Sequence, residues 1–256
     1  MLLLCGGANI LKNSGGIDLT RNRSGIISFF LGIMAVFLII IGLFISSIMW
    51  VAFDMDFYDR EYKKLNISQS TGMSHQELLN TTKELLNYIK DRREDLNISA
   101  VVHGQERQVF NQREIDHMID VKNLFTLGFR LRWISFGGFG LLVAFLVWYK
   151  GKETLRVLSI SYLTMLAILG ILVIVLLILI SIDFTAAWNG FHYIAFSNDL
   201  WILNPETDIL IQMVPEPFFY DTVIRILSIF GLVLAFLAIC SGIVLFKSAK
   251  FRKGNR

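Results

Sequence analysis

Thiols are scarce in this chain: 256 residues hold two cysteines. Cys5 precedes the first long apolar run and Cys240 lies deep in the last one, so the two are not expected to pair. The long polar connections between runs hold no cysteine, which excludes both a disulfide staple and a thiol nucleophile there. Proline is nearly as rare, and Pro205, Pro215 and Pro217 all fall in one segment, where they argue against a continuous helix. Only 18% of residues are charged, and none stands in the middle of an apolar run. A channel or transporter built on intramembrane charge, broken helices or repeats is therefore a poor fit. No His-x3-His or other compact ligand pair occurs, so no metal and no cofactor are expected.

What the chain has instead is apolar length. Hydrophobic residues make up 54% of it, and mean hydropathy is +0.58, a balance that needs lipid as part of the solvent. Four runs suit a bilayer crossing of roughly 20 helical residues: 25–53, 133–149, 157–181 and 224–246. The first is too long for a cleaved signal and is expected to stay as an anchor. The fold class expected is thus an all-α membrane protein of four transmembrane helices.

Orientation follows from basic residues, which favour the cytoplasmic side of short loops. Lys12, Arg21 and Arg23 precede the first run; Lys150, Lys152 and Arg156 stand between the second and third; Lys247, Lys250, Arg252, Lys253 and Arg256 follow the fourth. From Asp183 to Thr222 there is no Lys or Arg. Segments 1–24, 150–156 and 247–256 are accordingly expected in the cytoplasm, with 54–132 and 182–223 on the outer face. No nucleic-acid partner is expected, and the sequence leaves the oligomeric state open.

Each outer segment has its own grammar. In the first, Ser74 to Glu77 has capping-box spacing, followed by Leu78, Leu79, Leu85, Leu86 and Ile89 on one helical face. Val101-Val102 and Val109-Phe110 flank His103 to Glu106, the pattern of a turn between short extended pieces. A second helix start at Asn111, with Glu114 three residues on, leads without a break toward the second run. The other outer segment is dense in aromatics, among them Trp188, Phe191, Tyr193, Phe196 and Trp201, which suits the headgroup zone.

All four histidines, His75, His103, His117 and His192, fall in these outer segments. His75 reads as a helix-surface residue and His103 as a turn residue. Helical period makes neighbours of Arg113, His117 and Asp120, with Asp116 alongside. A carboxylate three residues on can orient an imidazole and raise its basicity, although a solvated charged face gives the same pattern. His192, among aromatics just past the third run, fits an interfacial anchor as well as a catalytic ring.

The stretches Phe110 to Phe125 and Phe191 to Asp221 (FHYIAFSNDLWILNPETDILIQMVPEPFFYD), together with the topology, resemble the bacterial four-span membrane family that includes the lipoprotein intramolecular transacylase. The first twenty residues contribute nothing to the likeness. The resemblance implies an acyltransferase at the outer face of the cytoplasmic membrane of low-GC Gram-positive bacteria. It would move an acyl chain from the glyceryl sn-2 ester of a diacylated lipoprotein to the α-amino group of the same N-terminal cysteine, leaving a lyso-form lipoprotein. It also implies a pair of outward histidines, here His117 and His192.

That chemistry suits the residues. A tethered amine needs no enzyme nucleophile, only a base, a proton donor for the departing glyceryl oxygen, and polarisation of the ester carbonyl. The expected partners are the diacylated lipoprotein and membrane lipid. His117 is expected as base oriented by Asp120 and His192 as acid or oxyanion partner, with the reverse assignment open. Tyr193, Asn198 and Asp199 are expected supports. The rival is a binding or regulatory membrane protein whose outer histidines sense pH; a metal site of His117, Asp120 and His192 is the weaker third reading.

Overall fold

A computed structural model describes residues 19–254, so Cys5, Lys12 and Arg256 lie outside the described residues. Four long helices carry the apolar runs: α1 (Leu19–Ala52), α5 (Gln112–Lys150), α6 (Thr154–Ile182) and α9 (Glu216–Gly254). Among the described residues three stretches are long and apolar enough to cross a membrane, Ser24–Ala52, Gln112–Ile182 and Glu216–Phe251. The middle one holds two helices, α5 and α6, separated at Gly151. Its φ of 54° is a left-handed value that glycine adopts without a Cβ penalty, and a single 3₁₀ turn, Gly151–Glu153, follows.

Every long helix outlasts its apolar run, because backbone hydrogen bonding does not stop where hydropathy falls. The start of α5 reaches more than four turns ahead of the run expected at 133–149, and α9 begins at Glu216 rather than near 224. Pro217 fits there, since the first turn of a helix has no intrahelical acceptor for its missing N–H.

Helix α1 sits at the centre, packed on α5, α6 and α9. Small residues let the backbones close in. A side chain at Gly32 would strike Ser161 and Val157 of α6, and one at Gly138 would come within 2.9 Å of Leu38. The Gly137 to Gly140 run therefore serves helix packing at Gly138. A buried cluster of Val36, Ile40, Tyr162, Phe230 and Leu234 joins α1, α6 and α9, and Tyr162 donates to the Leu234 carbonyl at 2.7 Å. Outward, Leu141, Trp148, Ile171 and Phe236 are exposed, an apolar surface that lipid must cover.

The other elements form a cap over one end of the bundle. These are α2 (Met55–Lys64), α3 (Ile67–Thr71), α4 (His75–Ile89), the strands β1 (Ser99–Val102) and β2 (Gln105–Gln108), and the short α8 (Ile209–Met213). The strands pair antiparallel with Val102 opposite Gln105, so the turn is His103-Gly104 alone and this hairpin is a small exception to an all-α fold. Ser74 caps α4 by accepting from the Glu77 N–H at 3.2 Å, while Glu77 reaches the Val101 N–H of β1 at 3.0 Å. The expected box thus closes on one side and ties helix to hairpin on the other.

The cap core, with Tyr62, Leu78, Leu96, Val102, Val109 and Met213 at its centre, continues into the capped end of the bundle. Asp54 accepts from the Asp56 and Phe57 N–H groups at the start of α2 and pairs at 2.5 Å with Arg225 of α9. Lys64 of α2 pairs at 2.5 Å with Asp221.

Candidate active site

The site is built where the start of α5 meets α7 (Phe184–Ala195) and the strap that runs from α7 to α8. The capping box is present at Asn111: its side chain accepts from the Glu114 N–H at 3.1 Å, and Glu114 accepts from the Asn111 N–H at 2.7 Å. Both partners also reach beyond their own helix. Glu114, 1% exposed, accepts from the Leu210 N–H at 2.6 Å, and Asn111 donates to Asp208 at 2.9 Å. Burial pushes the Glu114 carboxyl up, opposed by the two N–H groups it accepts. Asp208 in turn accepts from the Asn204 N–H at 2.8 Å.

In the same turn, Arg113 donates to the carbonyl oxygens of Ile202, at 3.2 Å, and Asp199, and its guanidinium lies 3.7 Å from the Asp199 carboxylate. Asn198 donates to Asp120 at 2.8 Å. The strap is thereby fastened along the face of α5 that carries His117.

Folding the strap over α5 brings His117 and His192 together. Their ring centroids are 6.3 Å apart at an interplanar angle of 36°, and both are buried, 8% and 7% exposed. Neither hydrogen-bonds the other. The Nδ1 of His192 lies 2.8 Å from the carbonyl oxygen of Trp188. A carbonyl can only accept, so Nδ1 carries the proton and Nε2 presents a lone pair. Aromatic rings enclose this imidazole: Trp201 stacks on it at 4.7 Å, Trp188 meets it edge-on at 4.7 Å, Phe191 at 5.3 Å. Phe196 lies beside both histidines, 5.3 Å from His117 and 5.7 Å from His192.

Two polar atoms in this pocket are buried without a hydrogen-bond partner, Nδ1 of His117 and the indole Nε1 of Trp201. Orphaned polar atoms cost stability unless something uses them. Burial lowers His117 to about 4, aided by His192 and Arg113 and opposed by Asp120; burial also lowers His192, opposed by its bond to the Trp188 carbonyl. Both rings are therefore neutral near pH 7, with lone pairs and N–H groups available for proton transfer.

The expected supports divide. Asp120 acts on His117 through space; its hydrogen bond goes to Asn198, so these two residues hold strap to helix instead of orienting the imidazole. Asp199, with a side chain 78% exposed, steadies Arg113. Asp116 accepts from Gln112 at 2.8 Å on its own helix. Tyr193 is 71% exposed and meets the edge of Trp201 at 5.1 Å. Among the described residues no group of three or more His, Cys, Asp or Glu is disposed to hold a metal ion. The other two histidines are elsewhere: His75 pairs with Asp59 at 2.7 Å, and His103 occupies the hairpin turn at φ 51°.

Sequence reading did not single out Trp188 and Trp201 as site residues. The spacing of Trp188 to His192, four residues on one helix, was a usable signal. Nothing local marked Trp201.

A family model described as lipoprotein intramolecular transacylase Lit matches residues 33–219, a range that includes both histidine-bearing segments. Among solved structures, the chain is similar to the membrane integral lipoprotein intramolecular transacylase Lit from Bacillus cereus, at 23% identity and a TM-score of 0.69, over 90% of this chain and 99% of that one. Two histidine variants of the same protein are similar at 20% identity and a TM-score of 0.67, covering 90% and 93% of this chain and 99% of theirs. Likeness at these identities shows a shared fold. No curated protein sequence matches.

Proposed function

The chain belongs to the lipoprotein intramolecular transacylase family, acyltransferases of the membrane, and from that premise we propose that it moves the sn-2 acyl chain of a diacylated lipoprotein to the α-amino group of the same N-terminal cysteine. The observation that carries this reading is the buried pair His117 and His192, 6.3 Å apart, with one ring held in a defined tautomer and the other left with an open nitrogen.

In this reading the substrate supplies its own nucleophile, and the pocket supplies orientation and proton traffic. The amine nitrogen attacks the ester carbon while Nε2 of His192 takes a proton from it. Collapse of the tetrahedral adduct breaks the bond to the glyceryl oxygen, which receives a proton relayed through His117. The Trp188 carbonyl stabilises the imidazolium formed at His192 by accepting from its Nδ1–H. These bonds favour the assignment that the sequence left open as the reverse one, with His192 as the base and His117 as the relay. The aromatic walls exclude water, which would otherwise compete with the amine for the ester.

The chain crosses the bilayer four times, at 25–53, 133–149, 157–181 and 224–246, with both termini in the cytoplasm and the cap and active site on the outer face. The break at Gly151, which divides the middle apolar stretch into two helices, and the distribution of basic residues support this topology. The substrate's acyl chains lie among lipid beside the bundle while its cysteine enters under the strap.

The test presents purified protein in detergent with a diacylated lipopeptide and locates the acyl chain by mass spectrometry. Transfer to the amine is expected with the wild type and not with His117→Ala or His192→Ala. Full activity in both variants would refute the site; release of free fatty acid instead of an amide would refute the reaction.

A further inference from the structure

Acyl transfer to an amine has three requirements, and the two histidines meet two of them. The third is a donor for the ester carbonyl oxygen, which gains negative charge as the carbon becomes tetrahedral. Resting on the reaction just proposed, we propose that the indole N–H of Trp201 is that donor. Trp201 is stacked on His192 at a centroid separation of 4.7 Å, at an angle of 25°, so the indole lies flat against the ring that takes the proton. Its Nε1 is buried and has no acceptor. An indole nitrogen is a donor only, so what it lacks is an oxygen, and the substrate brings a carbonyl oxygen to this pocket.

The surroundings fit the role. A stacked indole has little freedom, so the orientation of the donor is fixed before the substrate arrives. Tyr193 also contacts the indole, perpendicular to it at 5.1 Å. The backbone on either side of Trp201 is held by Arg113, which takes the carbonyls of Asp199 and Ile202. One arginine on α5 thus fixes the strap that presents the indole, one turn ahead of His117 on the same helix.

The step balances without further reactants. A bond forms between the amine nitrogen and the acyl carbon, and the bond from that carbon to the glyceryl oxygen breaks. One proton leaves the nitrogen and one reaches the glyceryl oxygen. The indole keeps its proton throughout and strengthens its hydrogen bond as charge builds on the carbonyl oxygen.

The experiment separates the donor from the ring. Site-specific incorporation of 3-benzothienylalanine at position 201 keeps the shape and the stack but replaces N–H with sulfur. Steady-state turnover of a synthetic dipalmitoyl lipopeptide is measured in the full-length protein, beside Trp201→Phe. The isostere is expected to lose about 100-fold or more in kcat, with KM within about threefold of the wild type. A kcat within about twofold of the wild type, or a defect confined to KM, would overturn the proposal.

A second measurement does not depend on how well the variant folds. With the wild type, a substrate whose sn-2 carbonyl is a thiocarbonyl, a poor acceptor, should react more slowly than the analogous ester by a factor larger than that seen with hydroxylamine in solution. No such excess would also overturn the donor role. A wild type that turns over no lipopeptide at all would defeat the underlying reaction, and this inference with it.

Discussion

The Nδ1 of His192 is bound to the carbonyl oxygen of Trp188, four residues earlier in α7, at 2.8 Å. A helical carbonyl normally accepts from the N–H four residues on, and here the side chain of that residue shares the acceptor. The bond decides the chemistry of the ring by assigning the proton to Nδ1 and the lone pair to Nε2. No carboxylate is needed to orient this imidazole.

His117 should be neutral well into the acid range, and burial shifts His192 in the same direction. In histidine-labelled protein followed by NMR, His117 and His192 should titrate below the ordinary imidazole value of about 6.5, with His117 near 4. His192 contributes to lowering His117, so His192→Gln should move His117 upward. Any loss of rate between about pH 8 and 7 then follows the substrate's own α-amino group, near 7.7, and not His117. A His117 titration above 6.5 would contradict the burial argument.

The same burial makes folding stability depend on pH with a defined sign. Unfolded His117 binds a proton near 6.5 and the folded ring only near 4, so between these values the unfolded state holds more protons and stability falls as pH falls. The full difference is on the order of 3 kcal/mol. His117→Gln should flatten the melting temperature between pH 6.5 and 4 relative to the wild type. An unchanged slope would show that the ring is solvated when the protein is folded.

How much of this was legible in the residues depends on range. The four long helices were readable because apolar length is a local property, and the start of α5 because Asn111 and Glu114 sit three apart. The apolar runs do not mark the helix ends, since hydropathy shows where the chain is greasy and not where its hydrogen bonding stops. The meeting of His117 with His192 has no local signature at all. It depends on Arg113 reaching Asp199 and Ile202, and on Asn198 reaching Asp120, contacts between distant segments that no period reports. The hydrogen bond from Asn198 to Asp120 was out of reach for the same reason: the helical neighbour of His117 has its partner on the strap.

That clamp has its own consequence. Arg113 holds the strap through backbone carbonyls, whereas Asp199 meets it at 3.7 Å with a side chain 78% exposed. Removing the carboxylate by Asp199→Asn should change kcat/KM less than about threefold, as expected for an exposed ion pair. Arg113→Ala removes the hydrogen bonds to Ile202 and Asp199 and should lower kcat by tenfold or more while leaving the melting temperature within a few degrees, because the cap core is untouched. Equal effects of the two substitutions would mean that charge, not the backbone contacts, positions the strap.

Glu114 is the anchor with most at stake for stability. Its buried carboxylate accepts from the Asn111 N–H at 2.7 Å and from the Leu210 N–H at 2.6 Å, so it joins the start of α5 to the start of α8 inside the cap core. Glu114→Ala strands both donors in a dry interior, each costing about 1–3 kcal/mol, and should lower the melting temperature markedly. Glu114→Gln keeps one oxygen acceptor but turns an N–H donor toward the other backbone N–H, so it should recover only part of that loss. Raising the pH should not rescue either variant, since neither side chain titrates. If Glu114→Gln instead matched the wild type in stability and lost activity, Glu114 would be a proton-transfer group and not an anchor, because an amide can replace a hydrogen-bonding oxygen but cannot carry a proton to and from the pocket.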